Sequence, residues 1–251
     1  MIKVTLIGTG RLSFNLMNEI LNNKRLKLNQ IYGRSKFRPK HISDDVEYIK
    51  ELKKINKSDF YIIAVSDNEI YNVSNQFDAK DGIVVHVSGN TNINVLSNHK
   101  NYGVFYPLQT FSYETNLNFR EIPIIIEAND KVNQKKIEKF SKIISENVYK
   151  MSTDKRAICH LSATVANNFT NHLVFKAEQI LEKHNIDKKL LKPLIKETFE
   201  KLDRMTTDEA QTGPALRNDN LTIESHLRQL NESDFLTLYK EITKSIRSNE
   251  L

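Results

Sequence analysis

The stretch Lys3-Val4-Thr5-Leu6-Ile7-Gly8-Thr9-Gly10-Arg11-Leu12-Ser13 sets the reading of everything after it. Residues 3–7 are β-branched and aliphatic, a strand by composition. Residues 11–22 follow at helical period, with Leu12, Leu16, Ile20 and Leu21 on one face. Between them lies Gly-x-Gly-x-x-small. In such a turn the first glycine makes the bend and the second lets the backbone approach a pyrophosphate. A small third residue, here Ser13, allows close helix–strand packing. The helix start offers N–H groups and a positive dipole end to an anion. The chain holds only 7 glycines in 251 residues, well under the usual ~7%. Two of them in one turn imply a backbone that needs them. The expectation is a dinucleotide held by Gly8, Thr9, Gly10, Arg11, Leu12 and Ser13. A plain βα turn without ligand is the alternative.

An NAD site usually carries an acidic residue about 20 positions on, for the ribose 2′-hydroxyl. No acidic residue stands between Glu19 and Asp44. The second strand instead runs into Tyr32-Gly33-Arg34-Ser35-Lys36. Arg34 and Ser35 suit a 2′-phosphate, so NADP(H) is the expected cofactor.

Working outward, strand-like runs at 28–32, 60–65, 83–87, 103–106, 122–127 and 147–151 alternate with helical stretches at 46–55 and 132–144. Alternation of this kind predicts βαβ units and a parallel sheet covered on both faces. Beyond residue 152 every run is helical: 155–183, 188–202, 221–230 and 235–246. The predicted organisation is an α/β dinucleotide-binding domain over 1–151 and an all-α domain over 152–251.

Three loops follow strands at the end where ligands bind in such sheets. Val65, Ser66 and Asp67 lie in the first, Ser88 and Gly89 in the second, and Pro107, Gln109 and Thr110 in the third. The first two are assigned to the nicotinamide half of the cofactor site and the third to substrate. Turn chemistry alone also favours these residue types. In the helical half, His160, Thr164, Asn167 and Asn171 share a face, which suits either a cleft or solvent. The segment 211–222 concentrates Gly213, Pro214, Arg217, Asp219 and Thr222, with His226 one turn beyond. Asp219 or Asn220 can cap the next helix. Arg217 can hold an anion and His226 can move a proton near neutral pH. A capped helix with a satisfied histidine is the plainer reading.

Composition closes off several classes. Hydrophobic content is 39% and charged content 27%, and no apolar run approaches the ~20 residues of a membrane span. The single cysteine excludes an internal disulfide and a cysteine metal cluster, and fits a reducing, cytoplasmic setting. The first residues do not read as a signal peptide. The net charge of +6 comes from scattered lysines interleaved with acids, a solvated surface rather than a nucleic-acid footprint.

Gly-Thr-Gly-Arg-Leu-Ser (8–13), His-Val-Ser-Gly (86–89), Tyr-Pro-Leu-Gln-Thr-Phe (106–111) and Gln-Thr-Gly-Pro-Ala-Leu-Arg-Asn-Asp (211–219), followed by Thr222 and His226, together resemble one bacterial family. Its members are Rossmann-like proteins with a C-terminal domain of unknown function, and the resemblance spans essentially the whole chain. It implies an architecture like pyrroline-5-carboxylate reductase and the F420-dependent NADP reductases, with a helical domain akin to the C-terminal domain of 6-phosphogluconate dehydrogenase. It also implies an NADP(H)-dependent oxidoreductase acting on a small imine, ketone or related carbonyl, and a homodimer through the helical domain. A nucleotide-binding module without turnover is the alternative. His226, Asn167, Arg217 and His160 are the catalytic candidates. Pro107, Gln109, Thr110, Asn171, Pro214, Asp219 and Thr222 are the substrate candidates. One departure counts: Asn167 stands where the related β-hydroxyacid dehydrogenases carry a catalytic lysine, and an amide cannot relay a proton as an ammonium can.

Overall fold

The structure, a computed structural model, describes residues 1–114, 117–231 and 233–248. It divides into two compact units, Met1–Asn168 and Phe169–Leu251. In the first, the elements run β1 (Ile2–Ile7), α1 (Arg11–Asn22), β2 (Leu26–Tyr32), β3 (Glu47–Ile49), β4 (Phe60–Ile63), α2 (Ile70–Ser74) and β5 (Ile83–His86). Then come β6 (Tyr102–Pro107), β7 (Ile124–Ala128), α3 (Lys131–Ile144), β8 (Val148–Lys150) and α4 (Thr153–Ala163). A π-helical turn, Thr164–Phe169, follows, and the division of the chain falls within it.

The eight strands form one sheet in the order β3-β2-β1-β4-β5-β6-β7-β8. Alternate residues of the strands feed two cores. Val4, Leu6, Phe60, Ile62 and Val85 pack with Leu16, Ile20, Ile137 and Phe140 of α1 and α3. Ile7, Tyr61, Ile63 and Val84 pack with Ile70 and Val73 of α2. Burial on both faces is what a helix-covered parallel sheet requires. The chain leaves β1 in one direction to β2 and β3 and returns to β4 on the other side. The sheet therefore has its topological switch point between β1 and β4, where such folds bind ligands.

Two expectations need correcting. Residues 46–55 are not a helix: Glu47–Ile49 is an edge strand paired with Gln30, Ile31 and Tyr32, followed by a 3₁₀ turn over Leu52–Lys54. Val46, Ile49 and Leu52 recur every third residue, as on a helix, yet each is buried in an extended or turn segment. The sheet is also not wholly parallel, since β7 runs antiparallel to β6. Their connection contains no described helix to carry the chain across the sheet, so β7 returns alongside β6.

The strands end at Lys150, close to the expected boundary, but the first compact unit continues through α4. The reason is Arg156, a fully buried side chain on α4. Its guanidinium pairs with Glu127 of β7 and donates to the Thr91 carbonyl at 2.6 Å. Glu127 in turn accepts from the Thr153 N–H at 3.0 Å and hydroxyl at 2.9 Å. One arginine and one glutamate thus fix the start of α4 to the sheet.

The second unit contains α5 (Thr170–Lys183), α6 (Leu191–Leu202), α7 (Thr207–Ala210), α8 (Asn220–Gln229) and α9 (Leu236–Ser248). Asp219 caps α8, accepting from the Thr222 N–H at 3.1 Å and hydroxyl at 2.7 Å. No helix among the described residues is long and apolar enough to cross a membrane.

Candidate functional site

At the switch point lies a cavity of about 460 Å³. Gly8, Thr9, Gly10, Arg11 and Leu12 line one side, Arg34 and Ser35 another, and Val65 and Ser66 a third, with Tyr32, Gly33, Ala64, Glu69, Val73 and Val87 completing it. Ser13 does not reach the cavity; it is buried beneath the turn, where its small side chain lets α1 approach the sheet. The start of α1 is set up for an anion. Gly10 is its cap residue and no side chain accepts its first N–H groups, and no acidic residue stands in its first turn. Side chains do cap α3 and α4, through Asp130 and Ser152. A Cβ on Gly10 would meet nothing within 4 Å, so the space above this backbone is open.

Arg34 carries no carboxylate neighbour in sequence, but the fold supplies one. Glu69, from the turn after β4, lies 3.6 Å from its guanidinium. The Arg34 side chain is 75% exposed, so this pair adds little stability and yields readily to a stronger anion.

The expected nicotinamide loops divide. The Ser88 hydroxyl donates to Asp67 at 2.7 Å and accepts the N–H groups of Asn90 at 3.2 Å and Thr91 at 2.9 Å. Its capacity is filled by the turn itself, and neither Ser88 nor Asp67 lines the cavity. His86, fully buried below, accepts the Ser88 N–H on Nδ1 at 3.2 Å. Burial, helped by the Arg156 charge, holds its pKa down to about 3, so it is neutral. Gly89 turns out to make room for a side chain: a Cβ there would lie 2.6 Å from the His160 ring.

That ring belongs to a second cavity of about 270 Å³, lined by Tyr106, Leu108, Gln109, Thr110, His160, Ala163, Thr164, Ala166, Asn167 and Asn168. Four expected site residues, Gln109, Thr110, His160 and Asn167, meet here. Pro107 does not; it is buried in β6 opposite Ile124. The Tyr106 hydroxyl, unassigned from sequence, lies 2.9 Å from Nδ1 of His160. Burial first, then the Asp67 charge, pushes the Tyr106 phenol up to about 12. The signal for Tyr106 was its place at the end of a strand, inside a motif already singled out. Arg156 and Glu127 carried no comparable signal.

The remaining candidates lie in the second unit. The His226 ring meets the Tyr239 hydroxyl through Nδ1 at 2.8 Å. Thr222 is engaged by Asp219, and these hydrogen bonds hold the Asp219 carboxyl below its usual pKa. Pro214 is half-buried, and Asn171 and Arg217 are exposed.

No curated protein matches this sequence. The family model for a domain of unknown function, DUF2520, matches residues 122–246. Among solved structures the chain is similar to protein BF3122 of Bacteroides fragilis, designated an NADP oxidoreductase. The two share 32% identity at TM-score 0.91, over 98% of each chain. The pyrroline carboxylate reductase of Plasmodium falciparum, solved with NADP bound, is 15% identical at TM-score 0.63 over 98% of each chain. The imine reductase of Myxococcus stipitatus, in complex with NADP+, is 15% identical at TM-score 0.65, over 98% of this chain and 93% of that one. At 15% identity the likeness is one of fold.

Proposed function

We propose, from the premise that this chain belongs to the Rossmann-like family carrying the domain of unknown function DUF2520, that it is an NADP(H)-dependent oxidoreductase of a small metabolite with a C=O or C=N group. The observation that carries this reading is the 460 Å³ cavity over the uncapped start of α1. The turn Gly8-Thr9-Gly10-Arg11-Leu12 would hold the pyrophosphate, over Ser13, and Arg34 with Ser35 the 2′-phosphate. When bound, the cofactor supplies a hydride. Ser66 and Val65 would border its nicotinamide half. Asp67 and Ser88 would shape that end through their mutual hydrogen bond, and Gly89 through the room it leaves for His160. Gln109, Thr110 and Asn167 would orient the substrate in the 270 Å³ cavity. For Pro214, Arg217, Asp219, Thr222 and His226 a substrate-facing role rests on the family motif alone, and for Asn171 on the helix face it shares in sequence with Asn167.

The test is a fluorescence titration of NADPH and NADH. A 2′-phosphate gripped by a guanidinium is worth the ~1.5–3 kcal/mol of a charge-assisted hydrogen bond. Arg34→Asp should therefore weaken NADPH by about tenfold or more, while NADH changes by less than about threefold. Equal losses for both would remove the NADP assignment, and no binding of either would remove the reading itself.

We also propose that the helical unit pairs with a second copy of this chain. Helices α5, α6 and α9 contain no buried residue among those described. Phe175, Leu194 and Phe199 are 49%, 63% and 48% exposed. Apolar surface of this extent on helices wants a partner. Light scattering should give twice the 29.1 kDa chain mass, and a monomer at micromolar concentration overturns the pairing. The lone thiol, Cys159, which donates to the Met151 sulfur, accords with a cytoplasmic setting.

A further inference from the structure

Ten residues line the 270 Å³ cavity, and among them only the Tyr106 phenol and the His160 imidazole are acid–base groups. The Asn167 amide donates hydrogen bonds but does not transfer a proton. Tyr106 and His160 are joined at 2.9 Å, their rings edge-on at 77° with centroids 5.8 Å apart. The pair is held from both sides. Tyr106 is the next-to-last residue of β6 with 9% of its surface exposed, and the His160 ring rests in the gap left by Gly89. The loop bearing Gly89 also joins the two cavities: Val87 lines the larger one, and two residues on the chain backs His160.

We propose that Tyr106 is the proton donor of this site, recharged through His160, and that the substrate it serves is a small aldehyde or ketone rather than an imine. The proposal rests on the reductase reading above. Reduction of a carbonyl places a hydride, with both its electrons, on carbon, the hydride coming from a bound dihydronicotinamide. The C=O π pair moves onto oxygen. That oxygen takes the Tyr106 phenolic proton as the O–H bond breaks, and the Tyr106 oxygen takes the proton carried on Nδ1 of His160. The His160 ring in turn takes a proton from water at its other nitrogen. An iminium brings its own proton into the site, so its reduction yields a neutral amine and needs no donor. With its pKa pushed up to about 12, Tyr106 is a phenol rather than a phenolate at neutral pH, as a donor must be.

The experiment compares the wild-type chain with Tyr106→Phe, using butanal, butanone and methylglyoxal as carbonyl probes and 2-methyl-1-pyrroline as the imine. NADPH binding is followed by fluorescence and the His160 ring nitrogens by NMR. The carbonyls should be reduced faster than the imine. Tyr106→Phe should lower kcat on them about 10²-fold or more, while KM and NADPH binding stay within about threefold. The Nδ1 resonance of His160 should shift in the variant whatever the turnover. A faster imine, no carbonyl turnover by an NADPH-binding chain, an undiminished kcat in the variant, or an unmoved His160 resonance each overturns the proposal. A wild-type chain that binds no NADPH instead overturns the reductase reading beneath it.

Discussion

Gly8→Ala is expected to destabilise the fold by on the order of 3 kcal/mol and to abolish dinucleotide binding. Gly8 holds φ at +126°, where an L side chain is strained. The space is closed as well. A Cβ would lie 2.2 Å from the Ala64 carbonyl oxygen and 2.8 Å from its carbon. Those atoms are backbone, so no rotamer change relieves the clash. Backbone movement is blocked on both sides. The Gly8 N–H donates to the Tyr32 carbonyl at 2.9 Å, and the Ala64 N–H donates to Ile7 at 2.8 Å. The residue is thus clamped between the ends of β2 and β4, at the switch point of the sheet. Gly10→Ala is the informative comparison. Gly10 has an ordinary φ of −76° and open space around its missing Cβ. Its variant should melt within about 0.5 kcal/mol of wild type, as an unburied change does. It should still lose affinity for NADPH, because the methyl group would occupy the approach to the phosphates. Thermal melting with fluorescence titration separates the two, and a Gly8→Ala chain as stable as wild type would contradict the clamp.

The contrast between these two glycines marks what the sequence makes legible. The turn at 8–13 is local: strand, glycine spacing and helix follow one another, and each element reports its own neighbours. Arg34 and Ser35 are read for the same reason, because they follow the strand next to that turn, and both line the cavity. What stayed hidden depends on pairs distant in sequence. Glu69 reaches Arg34 only because β4 lies beside β1, and Tyr106 meets His160 across 54 residues of chain. Ser88 shows what residue type leaves out. Its residue type fits a cofactor contact, but its hydroxyl is used three times over by its own turn and Asp67. Residues 46–55 misled through spacing, since three buried positions every third residue mimic a helix when the partner strand is unseen.

Arg156→Ala should cost about 3–5 kcal/mol, the usual penalty for removing one member of a buried ion pair. Arg156 has no exposed surface, and the Glu127 side chain is only 17% exposed, so truncation leaves a largely buried carboxylate with its Thr153 hydrogen bonds but without its cation. The Thr91 carbonyl loses its donor as well. Arg156→Lys restores the charge but not the fork that reaches Glu127 and Thr91 together, and should recover only part of the loss. Replacing both partners, Arg156→Leu with Glu127→Leu, removes the stranded charge and should be more stable than Arg156→Ala alone. The effect extends beyond stability. Arg156 and Glu127 tie down the first turn of α4, one turn before His160. Loosening that turn should lengthen the bond from His160 to Tyr106. Urea unfolding gives the stability order, wild type above Lys, then the double leucine, then Ala. The His160 ring resonances in the folded Arg156→Lys chain report the shift in the site. If Arg156→Ala unfolds at the wild-type midpoint, the ion pair does not hold α4 to the sheet.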